Sequence, residues 1–277
     1  MKLLFCTAVA LCLASQAPAQ PSNSEDGDQE EKRPEVRVPE PTRRSLSMTT
    51  THTVISVRYP LAREGVDVFA SALPELIAFA NEQRPVNARF LERAARLIDP
   101  VSTDALLLYL TGNATPLGLS QAEKNHLGKL LRSGGLLYAE DVRPHGGHGF
   151  QGEGLGIAGT PFDRQLKALI AESAVLGDAG RAWRRVPTSH PIYSTLFNFP
   201  DGPPLISAIG ANPLADRVTE LEMIEDRGRV AVLFSELNIS YAWAFPDAPG
   251  STQSLRFGTN LLVFAMVQQA ATRLQSR

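Results

Sequence analysis

Residues 106–141 read LLLYLTGNATPLGLSQAEKNHLGKLLRSGGLLYAED, and this stretch decides the fold. Leu106 to Leu110 is a continuously apolar run stopped by Thr111-Gly112-Asn113, the pattern of a short strand covered on both faces. Past a loop with Pro116 and Gly118, Ser120 and Glu123 have the spacing of a capping box, in which each side chain satisfies a backbone N–H at a helix start. Leu127, Leu130 and Leu131 then fall on one helical face, with Lys124, Asn125, Lys129 and Arg132 elsewhere. Gly134-Gly135 ends that helix, because glycine tolerates the left-handed conformation of a helix C-terminus, and Leu136 to Ala139 starts a second strand. Strand, helix and strand make a βαβ unit with parallel strands. Thr111 to Asn113 and Glu140-Asp141 therefore open on one edge of the sheet, where open α/β sheets bind their ligands.

Upstream, Met1 to Ala19 carries Lys2, an apolar run from Leu3 to Ala14 and Ala17-Pro18-Ala19 before Gln20, the layout of a cleavable secretory signal peptide. The run is too short to span a bilayer, so the expectation is an exported chain, periplasmic or secreted, with no transmembrane helix in its mature form. Cys6 and Cys12 are the only cysteines and both lie in that signal. The mature chain then has no disulfide, thiolate nucleophile or cysteine metal ligand. Residues 20–48 are rich in Ser, Asp, Glu, Pro and Arg with almost nothing to bury, and read as a disordered linker. Subtracting the signal and linker leaves 22 acidic against 21 basic residues in 49–277. With no basic excess, and no clustering of basic residues with aromatics, nucleic acid is not expected as a partner.

The remaining residues 49–277 suit a single α/β domain. Val54 to Val57 reads as a strand, Pro74 to about Gln83 as a helix and Val86 to Phe90 as a further strand, while Ala94 to Ile98 stays open. A long glycine-rich loop runs from His145-Gly146-Gly147-His148-Gly149 to Gly159, ahead of a helix over about Phe162 to Ser173. Gly154 to Gly159 matches GxGxxG, but no strand directly precedes it, so the turn that cradles a pyrophosphate is missing. Leu205 to Ile209 reads as a strand. Thr219 to Ile224 and Arg229 to Phe234 read as a β-hairpin around Glu225 to Gly228, and Leu255 to Leu274 as a largely buried helix.

Six motifs occur in one order: Arg58-Tyr59; Leu108-Tyr109-Leu110-Thr111-Gly112; Gly134-Gly135-Leu136 with Glu140-Asp141; His190-Pro191-Ile192-Tyr193; Gly228-Arg229-Val230-Ala231-Val232; and Arg256-Phe257-Gly258-Thr259-Asn260. Together, over roughly Thr49 to Gln269, they resemble the bacterial family called domain of unknown function 4159. The resemblance implies a three-layer sandwich with a mostly parallel central sheet, similar to class I glutamine amidotransferase-like and flavodoxin-like α/β folds. It implies no established activity. It also implies an envelope assembly with AAA ATPase or von Willebrand A-type proteins as partners, because members resemble exported proteins encoded beside these. Active amidotransferases place a nucleophilic cysteine at a sharp turn after a strand, whereas here Glu140-Asp141 follow the strand, which excludes thioester glutaminase chemistry. No GxSxG elbow is present for serine chemistry.

The densest set of polar ligands is Glu140, Asp141, His145 and His148, whose oxygen and nitrogen donors suit Zn, Mn or Fe. The structural alternative is that the acids cap backbone N–H groups and the histidines are solvated. His190 before Pro191 reads first as a turn histidine bonding the backbone, and second as a ligand. Ser235, Glu236, Asn238 and Trp243 follow a strand and either line the same crevice or pack a loop, while Trp183 beside Arg184 and Arg185 reads as a surface stacking cluster. Two functions follow. The favoured one is an exported, non-catalytic module, with no cofactor, that binds a partner protein or a small ligand. The alternative is a divalent-metal-dependent hydrolase built on Glu140, Asp141, His145 and His148.

Overall fold

In the computed structural model, nine strands and five helices are assigned among the described residues, 50–59, 70–83, 86–112, 115–142, 156–205, 217–248 and 250–275. The strands are β1 (Thr50–Arg58), β2 (Ala88–Arg96), β3 (Leu107–Gly112), β4 (Leu136–Asp141), β5 (Gly156–Ile157), β6 (Arg184–Arg185), β7 (Arg217–Val218), β8 (Glu222–Asp226) and β9 (Arg229–Ser235). The helices are α1 (Ala72–Glu82), α2 (Gln121–Ser133), α3 (Pro161–Ile170), α4 (Ile239–Ala244) and α5 (Ser251–Gln275). The expected signal peptide, the linker, His145 and His148 lie outside the described residues, as does most of the expected strand after Leu205.

Seven strands form one sheet in the order β2-β1-β3-β4-β9-β8-β6, and β5 pairs with β7 in a two-stranded ribbon. Strands β2, β1, β3, β4 and β9 are mutually parallel, while at one side β8 runs antiparallel to β9 and β6 antiparallel to β8. The fold is thus α/β around a mostly parallel sheet. Two separate cores lie on its two faces. Leu107, Tyr109, Leu136 and Tyr138 pack with α1, α4 and α5, while Leu108, Leu110, Leu137 and Ala139 pack with α2 and α3. The alternation along β3 and β4 is the period-2 geometry of a strand buried on both sides.

The βαβ unit forms as its residues require. Ser120 Oγ accepts from the Glu123 N–H at 3.3 Å, and Glu123 Oε2 accepts from the Ser120 N–H at 2.9 Å. Gly134 closes α2 with φ of 114°, a conformation that costs a side-chain-bearing residue. The box has a member from outside the unit. Glu123 is fully buried, and Arg96 at the end of β2 reaches its Oε1 with Nε at 3.1 Å and a terminal nitrogen at 2.8 Å. Burial pushes the Glu123 carboxyl up, but Ser120 and Arg96 outweigh it and leave the group below its ordinary range.

Several boundaries differ from the expected ones: β1 is longer at both ends, α1 starts at Ala72, α3 ends at Ile170, and three further shifts bear on the packing. Strand β2 runs on through Ala94 to Arg96, because it pairs along its whole length with β1. The hairpin arm β8 starts at Glu222, not Thr219, and its turn shortens to Arg227-Gly228, both at positive φ (51° and 75°), with Asp226 and Arg229 still paired. Such a two-residue turn matches the twist of its strands. Helix α5 starts earlier, at Ser251, and its Gly258 lies so close to α1 and α4 that a Cβ there would come within 2.5 Å of Leu76 and 2.9 Å of Trp243. Trp243 itself is core, 5.9 Å from the Tyr109 ring and 5.8 Å from that of Tyr138, and donates to the Ser254 carbonyl at 2.7 Å. Asn260 of α5 clamps the segment after His190. Its amide donates to the carbonyls of Ile192 and Phe197 and its oxygen accepts from the N–H groups of Leu196 and Phe197.

Candidate functional site

Parallel strands bring the carboxyl ends of β1, β3, β4 and β9 to one edge of the sheet. The end of β3 is closed off by α3, since a Cβ on Gly112 would lie 2.3 Å from the Phe162 ring. The polar residues are those at the ends of β4 and β9, where Glu140 pairs with Ser235.

Strand β4 continues through Asp141, which pairs with Gly112, so Glu140 and Asp141 keep the alternation of the strand and point to opposite faces. Glu140 faces α4. Its Oε1 accepts from the Ile239 N–H at 2.6 Å, the Ser235 hydroxyl at 2.8 Å and the Tyr138 hydroxyl at 3.1 Å, and its Oε2 from the Ser240 N–H at 2.9 Å. Those two N–H groups are free donors of the first turn of α4, so Glu140 caps that helix from another strand. The local cap position is taken by Asn238, at φ of 57° and with no side-chain cap bond, which explains why the cap comes from a distance. Burial pushes the Glu140 carboxyl upward, and the Ser240, Ser235 and Ile239 donors pull it back. Ser235 is oriented by the Leu237 N–H, which donates to its hydroxyl at 3.1 Å.

Asp141 and Glu236 belong to the other face, toward α3. Glu236 is only 4% exposed, and its Oε1 is buried with no hydrogen-bond partner among the described residues. Burial, with Asp163 and Asp141 nearby, raises its carboxyl to about 8, and Lys167 opposes the rise. Lys167 of α3 completes this acidic recess. Its ammonium lies 2.8 Å from Asp163 and 2.6 Å from Glu222, and 5.5 and 5.7 Å from the ring centres of Trp183 and Phe234. Burial lowers the Lys167 ammonium, but those two carboxylates outweigh it and hold it above its ordinary range. Asp163 is fixed by the Thr160 side chain, which accepts from the Asp163 N–H at the start of α3.

The structure therefore separates the polar residues singled out from the sequence. Glu140, Ser235 and the backbone after Asn238 form a cap, while Asp141 and Glu236 form one wall of the recess. Asp163, Lys167 and Glu222 escaped the sequence reading because they lie on α3 and β8, far from β4 in the chain. Trp183 does not stack with Arg184 and Arg185; it packs on Phe234 at 6.1 Å, and the two arginines pair with Glu225 and Glu220. Among the described residues no three His, Cys, Asp or Glu side chains converge as a metal ion would need.

His190 lies elsewhere. Its Nδ1 accepts from the Ile192 N–H at 3.2 Å and its ring lies 5.4 Å from that of Phe264. Burial keeps its imidazole below the ordinary range. It borders a groove of about 940 Å³ between α5 and the hairpin turn, lined also by Arg132, Arg227, Phe264, Val267 and Gln268. No helix among the described residues is long and apolar enough to cross a membrane.

The chain belongs to a protein family described as domain of unknown function (DUF4159), whose pattern matches residues 53–266. A comparison with curated proteins gives no match.

Proposed function

We propose that this member of the family is an exported, non-catalytic α/β module that binds a small ligand or a partner protein at the carboxyl edge of its sheet, between β4 and β9. The strand order β2-β1-β3-β4-β9 supports the flavodoxin-like, amidotransferase-like reading, since a parallel 2-1-3-4-5 order defines that arrangement, and ligands of such sheets bind beyond the carboxyl ends of the strands. One observation carries the proposal: Glu236 is buried at that edge with an oxygen that has no partner among the described residues, and such a group destabilises a protein unless something donates to it. A non-catalytic role is supported by the chemistry of the edge. The position of the amidotransferase nucleophile is held by acids, and Glu140 serves α4 with both oxygens. Export rests on the first 19 residues, and a place beside AAA ATPase or von Willebrand A-type proteins rests on the family resemblance.

Two-dimensional NMR of the chain from Gln20, titrated with a fragment library and with extracts of the envelope, tests the proposal. Binding is expected to move the resonances of Asp141 and Glu236, and to be weakened by Glu236→Gln. Ligands that move only the groove around His190 and Phe264 would overturn it. The metal-hydrolase alternative retains Asp141 with His145 and His148, and metal analysis of the purified protein decides it. A stoichiometric ion lost in Asp141→Asn would replace the binding-module reading.

A further inference from the structure

We infer that the recess formed by Asp141, Asp163, Glu222 and Glu236 takes an organic cation, a primary ammonium or guanidinium group carried by the ligand. The inference rests on the ligand edge proposed above and specifies its chemistry. Among the described residues Glu236 faces three other carboxyl groups, those of Asp163, Asp141 and Glu222, and one cation, Lys167. Its buried Oε1 accepts no hydrogen bond within the described residues. What this oxygen lacks is a partner, and a positively charged donor would let the Glu236 carboxyl ionise beside the other acids.

The chain itself shows which cation such walls accept. Lys167 brings an alkyl ammonium between Asp163 and Glu222, at 2.8 and 2.6 Å, against the faces of Trp183 and Phe234. Carboxylates backed by aromatic faces recognise organic cations, through charged hydrogen bonds on one side and the ring quadrupole on the other. A metal ion asks for something different, several oxygen or nitrogen ligands at about 2.0–2.6 Å from one point. Among the described residues that convergence is absent. Hydrogen bonds from an ammonium are longer and spread over several directions, which suits carboxyl groups held on three separate elements, β4, α3 and β8, and just past the end of β9.

The test uses the chain from Gln20 with cadaverine and agmatine as probes, and magnesium, zinc and sodium chlorides at matched ionic strength as controls. Thermal melting and calorimetry should show saturable binding of at least one of the two amines. Glu236→Gln, which keeps the shape of the side chain, should weaken that binding by about tenfold or more. Lys167→Met removes the resident ammonium and should strengthen it. No saturable response to either amine, an equal response in Glu236→Gln, or a response to the metal salts alone would overturn the inference. If neutral fragments move the Asp141 and Glu236 resonances while the amines do not, the edge remains the ligand site and only its cation chemistry is refuted. If nothing moves those resonances, both readings fall together.

Discussion

The two ends of the central strands treat their charges in opposite ways. At the amino end of β9, arginines are joined to backbone: Arg229 donates to the carbonyls of Leu131 and Gly135, Arg227 to that of Arg132, and Arg132 to that of Val175. The first three of these carbonyls belong to the last turn of α2 and the residue after its cap, where helical N–H donors run out and only that of Leu131 also accepts from the Gly134 N–H, and cations there complement the helix dipole. At the carboxyl end Glu140 is used in this manner, on the first turn of α4, whereas Glu236 beyond β9 faces other acids. One end is finished as structure, whereas the other keeps a strained, polar recess. Functional sites tend to retain such unbalanced groups, because the arrangement that best serves a ligand is not the one that best serves folding.

Removing Glu140 should have the largest effect. Glu140→Ala leaves two buried N–H groups and two hydroxyls without their acceptor, and is expected to lower the unfolding free energy by about 3–5 kcal/mol in urea titrations. A loss below about 1 kcal/mol would erase the distinction between Glu140 and its neighbours. At the opposite end, Arg229→Met should lower stability by about 2 kcal/mol, since the side chain is 9% exposed and bonded to carbonyls. Arg227→Met, with a side chain 62% exposed, should change it by less than about 0.5 kcal/mol.

Glu236 supplies the sharpest contrast, because its loss should stabilise. A carboxyl raised to about 8 in the folded chain, against 4.5 ordinarily, keeps a proton that the unfolded chain releases. Stability contributed by this group therefore falls as pH rises from about 4.5 to about 8. Glu236→Gln should flatten that slope and be more stable than the parent at pH 9 by about 1–3 kcal/mol, read from melting curves across pH. A less stable Glu236→Gln at pH 9 would mean that the carboxylate is welcome where it lies. The smallest effect is expected at His190, whose lowered pKa means that the unfolded chain takes up a proton first as pH falls through 6.5. Stability should decline slightly below that pH, and His190→Gln should remove the decline.

Much of the scaffold was legible because its signals are local. The run Leu107 to Leu110, the Ser120-Glu123 box and Gly134 each act within a few residues. The site was less legible because its partners are distant. The donors to Glu140 lie 99 and 100 residues ahead, on a six-residue helix whose sequence shows no cap of its own. Adjacent acids looked like a pair until the strand proved to run through Asp141, and one added ladder position was enough to send them to opposite faces. Arg96 and Lys167 carry no sequence signal for the same reason, since nothing near them in the chain announces the carboxylates they meet.

The outermost strands carry a further consequence, for how copies of the chain behave in a crowded compartment. Strand β2 is nine residues long and lies at the edge of the sheet, where the Asn81 side chain binds both backbone groups of Phe90 and Asp99 binds both backbone groups of Arg96, which leaves another strand fewer places to add. It bears Arg89, Glu92, Arg93 and Arg96, so a like strand laid against it in parallel register would set arginine beside arginine along its length. On the far side β6 has only two residues, both arginines tied to Glu225 and Glu220. One margin is guarded by charge and by side chains bound to its backbone, the other by brevity, and both devices discourage edge-to-edge growth of the sheet.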